Sequence, residues 1–405
     1  MLGGGIVTVP DGVDPLGSTN SATGINNALS SMSTGGVTVL PKGTYKVRST
    51  LTFRYNNSHV VGSGVGNTTI VVDDSAGNIG SAFDITNLYG CGIHNLTISS
   101  ASARSAGDAI RISGGDGSIT GIDVLKPSRT VVEDVDMINQ FNGLHVMDSA
   151  GPVRNWLVWV DRGYWREFGA GGTGLWINCG NIAGDEASPG ASQFFNNLFL
   201  SNSDGLSTTA ASAIRVSGGG DWTLSNIETW GWTNGFLCDP GAGVLVQAGH
   251  VYGCLFDTCS DDTVKITPNA TATLTRWKWA NNWLGNGRGN GINITGATAT
   301  DLMFSNVGIH SHAVPGKWAV LMNACDSVTF TGLHMTAGCA NGAKFTGSAT
   351  NCGIIGGRAN VTGPRYQVDV GATGYTVVGL NGTGSAAGID NGGAVAKAID
   401  AASNI

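Results

Sequence analysis

Three acidic residues in this sequence are candidates for chemistry on a sugar chain: Asp161, Glu228 and Asp136. Hydrolysis of a glycosidic bond needs two carboxyl groups, about 5–5.5 Å apart for retention of configuration or about 6.5–9.5 Å apart for inversion. We expect Asp161 and Glu228 to form that pair, because they fall two predicted coils apart and side chains can close part of a gap of roughly 10 Å. The alternative is that each is an ordinary solvated carboxylate. Acids on predicted insertion loops are further candidates, namely Glu167, Asp185 and Glu186.

Aromatic and polar residues predicted to face outward could hold the sugar itself. Side chains alternate between the two faces of a strand, so residues two apart share a face. Indole faces stack on pyranose rings, while amides, amines and imidazoles hydrogen-bond the hydroxyls. Ten of the eleven tryptophans lie in residues 156–283, so we expect some at the surface, at a glycan or at a subunit interface. The predicted binding residues are Trp159, Trp230, Trp232, Lys278, Asn282, His310 and His312.

A repeated pattern must position these residues. A strand, a polar bend and a second strand occur three times in succession in residues 224–294. Such short strands satisfy their backbone only by pairing with the next copy, and a period of about 20–50 residues is typical of stacked repeats. The sequence therefore predicts an all-β solenoid of about ten coils. Our alignment superposes Asn226, Cys254 and Arg276 in the first strands, and Gly235, Thr263 and Gly291 at the starts of the second strands.

The ends of the array differ from its middle. In residues 21–32, Ile25 and Leu29 recur at helical spacing, which predicts a short helix covering the first coil. We therefore divide the chain into an N-terminal cap with the first coils (1–79), the solenoid (80–385), and a C-terminal cap or subunit contact (386–405).

Composition excludes several classes of partner. A net charge of −7, with no cluster of lysine or arginine, argues against nucleic acid and anionic membranes. No apolar run of about 18 residues exists, so we expect no membrane insertion. The N-terminus lacks the pattern of a secretory signal, which favours a chain made in a cytosol.

We expect neither a metal nor another cofactor. The eight cysteines lack CxxC spacing and suit free buried thiols in a repeat core. Asp257, Asp261 and Asp262 form a dense acidic group beside Lys265, a composition that could hold Ca²⁺. Asp261 and Asp262 lie where the other coils have their bend, which favours a polar turn instead.

The N-terminal segment carries a resemblance to a known superfamily. Its features are Asp11-Gly12, the predicted helix, Gly35-Gly-Val-Thr-Val-Leu-Pro-Lys-Gly-Thr-Tyr45, and Val60-Val-Gly-Ser-Gly-Val-Gly-Asn-Thr-Thr-Ile70. This resembles the opening signature of the pectate-lyase-like right-handed parallel β-helix superfamily. The resemblance implies a single right-handed parallel β-helix with a short N-terminal capping helix. Members include secreted polysaccharide lyases and hydrolases, epimerases and trimeric phage tailspikes, so the fold does not fix the chemistry.

Three functions remain open. The chain most resembles a phage tailspike or minor tail protein, which implies a homotrimer in the virion tail, assembled in the host cytoplasm. Such a protein would bind a host surface polysaccharide, with or without cleaving it, and contact other tail proteins. The alternatives are a secreted polysaccharide lyase or glycoside hydrolase, and a structural spike or adhesin without enzymatic activity.

Overall fold

The computed structural model describes residues 5–9, 13–114, 129–147, 157–179, 193–202, 212–382, 388–390 and 397–399. The chain is 57% strand and 4% helix, and its strands pair in parallel, which confirms the predicted right-handed parallel β-helix. The chain divides into two compact units, Met1–Ser203 with Thr209–Ala211, and Asp204–Thr208 with Ser212–Ile405. No helix in these described ranges is long and apolar enough to cross a membrane.

The first unit contains short strands and the helix α1 (Ala22–Ser30). Its strands are β1 (Gly5–Thr8), β2 (Leu16–Asn20), β3 (Gly36–Leu40), β4 (Gly43–Val47), β5 (Leu51–Thr52), β6 (Ser58–Gly62), β7 (Thr68–Val72), β8 (Ser81–Thr86), β9 (Gly92–Ser100), β10 (Asp108–Ser113), β11 (Val131–Ile138), β12 (Asn142–Met147), β13 (Trp159–Arg166), β14 (Thr173–Asn178) and β15 (Gln193–Ser201). A 3-10 turn covers Asp74–Ala76.

Pairing in this unit follows the coils. One sheet contains β6, β9, β11, β13 and β15, each strand parallel to the next, and a second contains β5, β8, β10, β12 and β14. Helix α1 buries Ile25 and Leu29, as predicted, although it is shorter than the predicted range. Asn26 fixes the helix to β5, because its side chain donates to the carbonyl of Thr50 and accepts from the amide of Thr52, both at 2.9 Å.

The second unit repeats a coil with a divided first strand. Its strands are β16 (Ser212–Gly220), β17 (Trp222–Ser225), β18 (Glu228–Trp230), β19 (Asn234–Cys238), β20 (Leu245–Gln247), β21 (His250–Tyr252), β22 (Leu255–Asp257), β23 (Val264–Ile266), β24 (Thr273–Thr275), β25 (Trp277–Ala280), β26 (Trp283–Gly285), β27 (Ile292–Thr295), β28 (Thr300–Ser305), β29 (Gly308–Ile309), β30 (Trp318–Asn323), β31 (Asp326–Cys339), β32 (Asn341–Thr346), β33 (Gly353–Val361), β34 (Tyr366–Val368), β35 (Thr376–Val378), β36 (Ile389–Asp390) and β37 (Lys397–Ile399).

A left-handed residue divides the first strand of each coil. Ser225 pairs with Tyr252, and Tyr252 pairs with Ala280. The residues that follow these three, Asn226, Gly253 and Asn281, all have positive φ angles of 52° to 60°. Asparagine and glycine tolerate this conformation best, so their recurrence has a backbone cause.

This register corrects the alignment of the first strands. Asn226 aligns with Gly253 and Asn281, and not with Cys254 and Arg276 as predicted. The error arose because Gly253 supplies the left-handed bend without the amide that marks the other two copies. The second strands were aligned correctly, since Phe236, Val264 and Ile292 are register partners one residue after the predicted starts.

The interior of the coils holds more aromatic volume than we expected from the sequence. Five indoles are almost completely buried: Trp165, Trp222, Trp232, Trp277 and Trp279. Trp222 meets Trp277 edge to face at a centroid distance of 5.1 Å, an arrangement that stabilises stacked aromatics. All eight cysteines are free and buried, which confirms the prediction of core thiols.

Predicted boundaries near the C-terminus fall mostly outside the described residues. Within residues 386–405, the structure describes only the ranges 388–390 and 397–399. These contain β36 and β37, which extend the two parallel sheets by pairing with β34 and β35. The division at residues 79 and 385 stays a prediction.

Candidate functional site

One outward surface of the second unit brings together acids, indoles and an imidazole. We call it the Trp283 face and define it by Glu228, Trp230, Asp257, Trp283 and His310. Trp230 pairs with Asp257, and Asp257 pairs with Gly285 on the next coil. His310 continues this line, one residue after the pair Leu284 and Ile309. A second row of register partners on the same face runs from Glu228 through Leu255 to Trp283.

Two glycines let the Trp283 indole lie against the sheet. A Cβ atom on Gly285 would overlap the Cη2 and Cζ3 atoms of Trp283, and one on Gly308 would lie 3.3 Å from its Cδ1 atom. The ring therefore spans two positions where a side chain is missing, and it remains half-buried. Because few rotamers are open to a ring held in this way, it presents one face to solvent. It would therefore lose little side-chain conformational entropy on binding a ligand.

Asp257 lies beside this ring with its carboxylate fixed. Its Oδ1 atom accepts hydrogen bonds from the Thr258 amide at 2.6 Å, from the Thr258 hydroxyl at 3.2 Å and from Asn286 Nδ2 at 2.8 Å. These three donors fix the position of the carboxylate. An Asp257 oxygen is also 3.0 Å from the position of a Cβ on Gly285, which places the acid against the edge of the indole.

His310 closes the other end of the line. Its ring lies 4.9 Å from the Trp283 ring, centroid to centroid, and its Nδ1 atom lies 2.8 Å from the hydroxyl of Thr336. Partial burial and the neighbouring His334 lower the pKa of His310 below its ordinary value. A neutral imidazole at neutral pH can both donate and accept a hydrogen bond from a sugar hydroxyl.

Three of the predicted binding residues are buried, so the prediction that they line an exposed surface is wrong. Trp232 and His312 have no exposed area and Asn282 has 2%. Asn282 has a backbone role, because its amide donates to the Val251 carbonyl at 3.1 Å and accepts from the Cys254 amide at 2.9 Å. Burial lowers the pKa of His312 to about 4.

Lys278 is exposed, but it lies on another part of the coil. It sits on β25 in register with His250 and Met303, on the half of the first strand that precedes the left-handed bend. Lys278 therefore lies apart from Glu228, on the other side of the left-handed bend. Trp230 and His310, both predicted as binding residues, do lie in one row of the register.

In the first unit, Asp161 belongs to a charged network. Its carboxylate pairs with Arg162 and accepts a hydrogen bond from Asn197 Nδ2 at 2.7 Å. Arg162 also pairs with Glu133 at 2.6 Å and with Asp134 at 2.7 Å. Asp161 and Glu228 lie in different units, and their pairing stays a prediction.

Of the other residues predicted for the first unit, Asp136 lies on β11 and Trp159 on β13. Asp136 accepts a hydrogen bond from the Tyr164 amide at 2.9 Å, and burial raises the pKa of its carboxyl. Trp159 is 49% exposed, and its ring lies 5.2 Å from that of Phe194. Their roles stay predictions. Glu167 pairs with Arg166 at 3.3 Å, whereas Asp185 and Glu186 lie outside the described residues.

The carboxylates of the acidic group at residues 257–262 are engaged by neighbouring side chains and amides. Asp262 is 3% exposed, and its carboxylate accepts from the Asn290 amide at 2.6 Å and from Asn293 Nδ2 at 2.6 Å. Asp261 pairs with Lys265 at 3.0 Å. In the described part of the chain, no group of three histidine, cysteine or acidic residues is arranged to hold a metal ion. The interpretation of Asp261 and Asp262 as a polar turn is confirmed.

Sequence reasoning missed two members of the face. Asp257 was considered only as a member of the acidic group that could hold Ca²⁺, and Trp283 was not chosen at all. The available signal was the left-handed residue: alignment on Asn226, Gly253 and Asn281 places Trp230, Asp257 and Gly285 in one line. The contact of Trp283 with Gly285 and Gly308 has no sequence signal, because it joins residues of two coils.

The parallel coils define a right-handed parallel β-helix. The catalytic unit of the GH87 α-1,3-glucanase of Streptomyces thermodiastaticus strain HF3-3 superposes with a TM-score of 0.65 at 14% identity, covering 94% of this chain and 69% of that one. The A-module of the Azotobacter vinelandii mannuronan C-5 epimerase AlgE6 gives 0.58 at 14% identity, covering 96% and 98%.

A phage protein shares the fold as well. Tailspike protein 2 of the Escherichia coli O157:H7 bacteriophage CAB120 gives a TM-score of 0.55 at 15% identity, covering 86% of this chain and 42% of the tailspike. At these identities the likeness shows the fold alone. No protein-family model and no curated protein sequence matches this chain.

Proposed function

We propose that the chain binds a bacterial surface polysaccharide on the Trp283 face, as a tail spike or minor tail protein of a phage virion. The observation that carries the binding proposal is the Trp283 ring, held against the sheet by Gly285 and Gly308. A fixed indole flanked by a carboxylate and an imidazole offers one stacking surface and polar partners on both sides. This combination recognises a sugar ring and needs no positive charge.

The line of the face also suits a chain of sugars. Trp230, Asp257 and the ring over Gly285 follow one another on successive coils, which are spaced about 4.8 Å apart. A pyranose has a similar length, so a glycan lying along the stack can meet one coil with each sugar. The glucanase, the epimerase and the tailspike that share the fold support a carbohydrate ligand.

Binding is tested on an array of purified capsular and O-antigen polysaccharides, with α-1,3-glucan and polymannuronate added because of the enzymes that share the fold. We expect Trp283→Ala to weaken binding of the retained polysaccharide about tenfold, equivalent to about 1.4 kcal/mol. Tyr252→Ala is the matched control, because Tyr252 is an exposed aromatic on the other half of the first strand. Equal effects of the two variants, or no retained polysaccharide, would contradict the proposal.

The proposal has a second part, which is that the chain belongs to a virion, forms a homotrimer and contacts other tail proteins. The similarity of fold to tailspike proteins supports this part. Light scattering should give a stable species near three times 41.3 kDa. Affinity capture from a phage-infected culture should then recover other tail proteins and locate the chain in purified virions. A monomer absent from virions would favour the secreted enzyme, the candidate to which the glucanase and epimerase folds point.

A further inference from the structure

We infer that the Trp283 face also hydrolyses the glycan that it binds, with inversion, using Glu228 and Asp257 as its two carboxyl groups. This inference rests on the proposed binding function and adds a reaction to it. It replaces Asp161 by Asp257 as the partner of Glu228.

The register sets the separation of the two acids. Glu228 pairs with Leu255, two residues before Asp257, so the acids lie on adjacent strands and are offset by two positions. Strands about 4.8 Å apart with a rise of about 3.3 Å per residue place their Cα atoms about 8 Å apart on one face. Side chains on one face of a sheet project in nearly the same direction, so a similar separation is expected between the two carboxyl groups, within the range of about 6.5–9.5 Å for inversion that leaves room for a water molecule.

Their surroundings assign the two roles. The Asp257 carboxylate is held in place by the hydrogen bonds of Thr258 and Asn286, which suits a general base that must be aimed at one water molecule. Glu228 is exposed, and no hydrogen bond or ion pair holds its carboxyl within the described part of the chain, so its side chain can reach the leaving oxygen as the general acid. Trp230 and Trp283 lie on either side of Asp257 along the line of coils, where they would hold the sugars next to the bond that breaks.

The reaction consumes one water. Asp257 takes a proton from the water while the water oxygen bonds to the anomeric carbon. At the same time the bond from that carbon to the leaving oxygen breaks. Glu228 delivers its proton to the leaving oxygen, which departs as an alcohol. The new reducing end has the opposite anomeric configuration. Proton exchange with solvent then restores a protonated Glu228 and an ionised Asp257.

The experiment follows release of reducing ends from the same polysaccharide array and records the anomer of the first product by NMR. Glu228→Gln should lower the rate about 100-fold or more while binding is kept. Asp257→Gly should lose the rate and regain it with azide, forming a glycosyl azide of inverted configuration, a rescue that a structural role would not allow. Asp301→Asn, at an exposed acid on β28, is the control and should keep the wild-type rate.

The outcomes separate the two proposals. Binding without release of reducing ends overturns hydrolysis and leaves the binding proposal intact. Retained configuration, or loss of activity in Asp161→Asn with normal activity in Asp257→Asn, overturns the Glu228 and Asp257 assignment. Absence of binding to every polysaccharide overturns both proposals.

Discussion

Asp261 and Asp262 are neighbours in the sequence, yet their carboxylates lie in opposite environments. Asp262 is 3% exposed and accepts hydrogen bonds from Asn290 and Asn293 on the next coil. The side chain of Asp261 is 38% exposed and pairs with Lys265 four residues away. The Asp262 side chain therefore links two coils, whereas the Asp261 side chain forms an ion pair within its own coil.

This difference predicts unequal costs of substitution. Asp262→Ala should lower the free energy of unfolding by about 3 kcal/mol, because it leaves buried amide donors unpaired. Asp261→Ala should cost about 0.5 kcal/mol, as for other exposed pairs. Urea unfolding of the two variants measures both values. Equal losses of unfolding free energy in the two variants would show that the hydrogen bonds of Asp262 to the next coil do not contribute to stability.

Gly285 should be needed for the shape of the Trp283 face. Gly285→Ala forces the Trp283 ring off the sheet, because the new methyl group overlaps its Cη2 and Cζ3 atoms. We expect glycan affinity to fall about tenfold, as for Trp283→Ala, with less than about 1 kcal/mol lost in stability. Gly308→Ala is the milder control, since its methyl group lies 3.3 Å from the ring. Isothermal titration and urea unfolding distinguish a displaced ring from a damaged fold.

Stability should fall as the pH drops below the ordinary pKa of histidine, because His312 is buried. Its pKa is lowered from 6.5 to about 4 by burial, so the unfolded chain binds a proton that the folded chain excludes. This contribution is complete above pH 6.5 and is lost as the pH falls towards 4, with about 2 kcal/mol lost between pH 7.5 and pH 5.

Unfolding of the wild type and of His312→Leu at pH 7.5 and at pH 5 tests this origin. The variant should show a loss smaller by about 2 kcal/mol. His334→Gln serves as the control, because His334 is exposed and its replacement leaves the core unchanged. Identical pH dependence in the wild type and His312→Leu would place the effect elsewhere.

The thiols should be inert in the folded protein. All eight cysteines are buried, and burial raises the pKa of Cys254 and Cys259 to about 12. The thiolate is the reactive form, so a thiol reagent should label no cysteine in the native protein and eight after unfolding in guanidinium. Thr331→Cys, at an exposed position, should add one rapidly labelled thiol to the native protein. Rapid labelling of cysteines in the native wild-type protein would show that the coils open and expose their buried thiols.

The repeat itself predicted an all-β solenoid, and the resemblance of the N-terminal segment implied the right-handed parallel β-helix. Strands of three to six residues, such as β19 and β23, cannot satisfy their backbone within one coil, so a fixed spacing implies stacking. The helix α1 was predictable for a similar reason, since Ile25 and Leu29 follow the period of a helix. Both patterns are spacings between residues along the chain, so they can be recognised without the tertiary structure.

The tertiary structure alone decided which residues share a surface. Trp232, Asn282 and His312 are buried because each follows a residue with a positive φ angle, which breaks the alternation of a strand and turns an outward prediction inward. The identity of the bend residue varies between Asn226 and Gly253, so composition does not mark the register. The Trp283 ring rests on Gly285 and Gly308 through contacts between coils, which depend on atomic packing and leave no periodic trace in the chain.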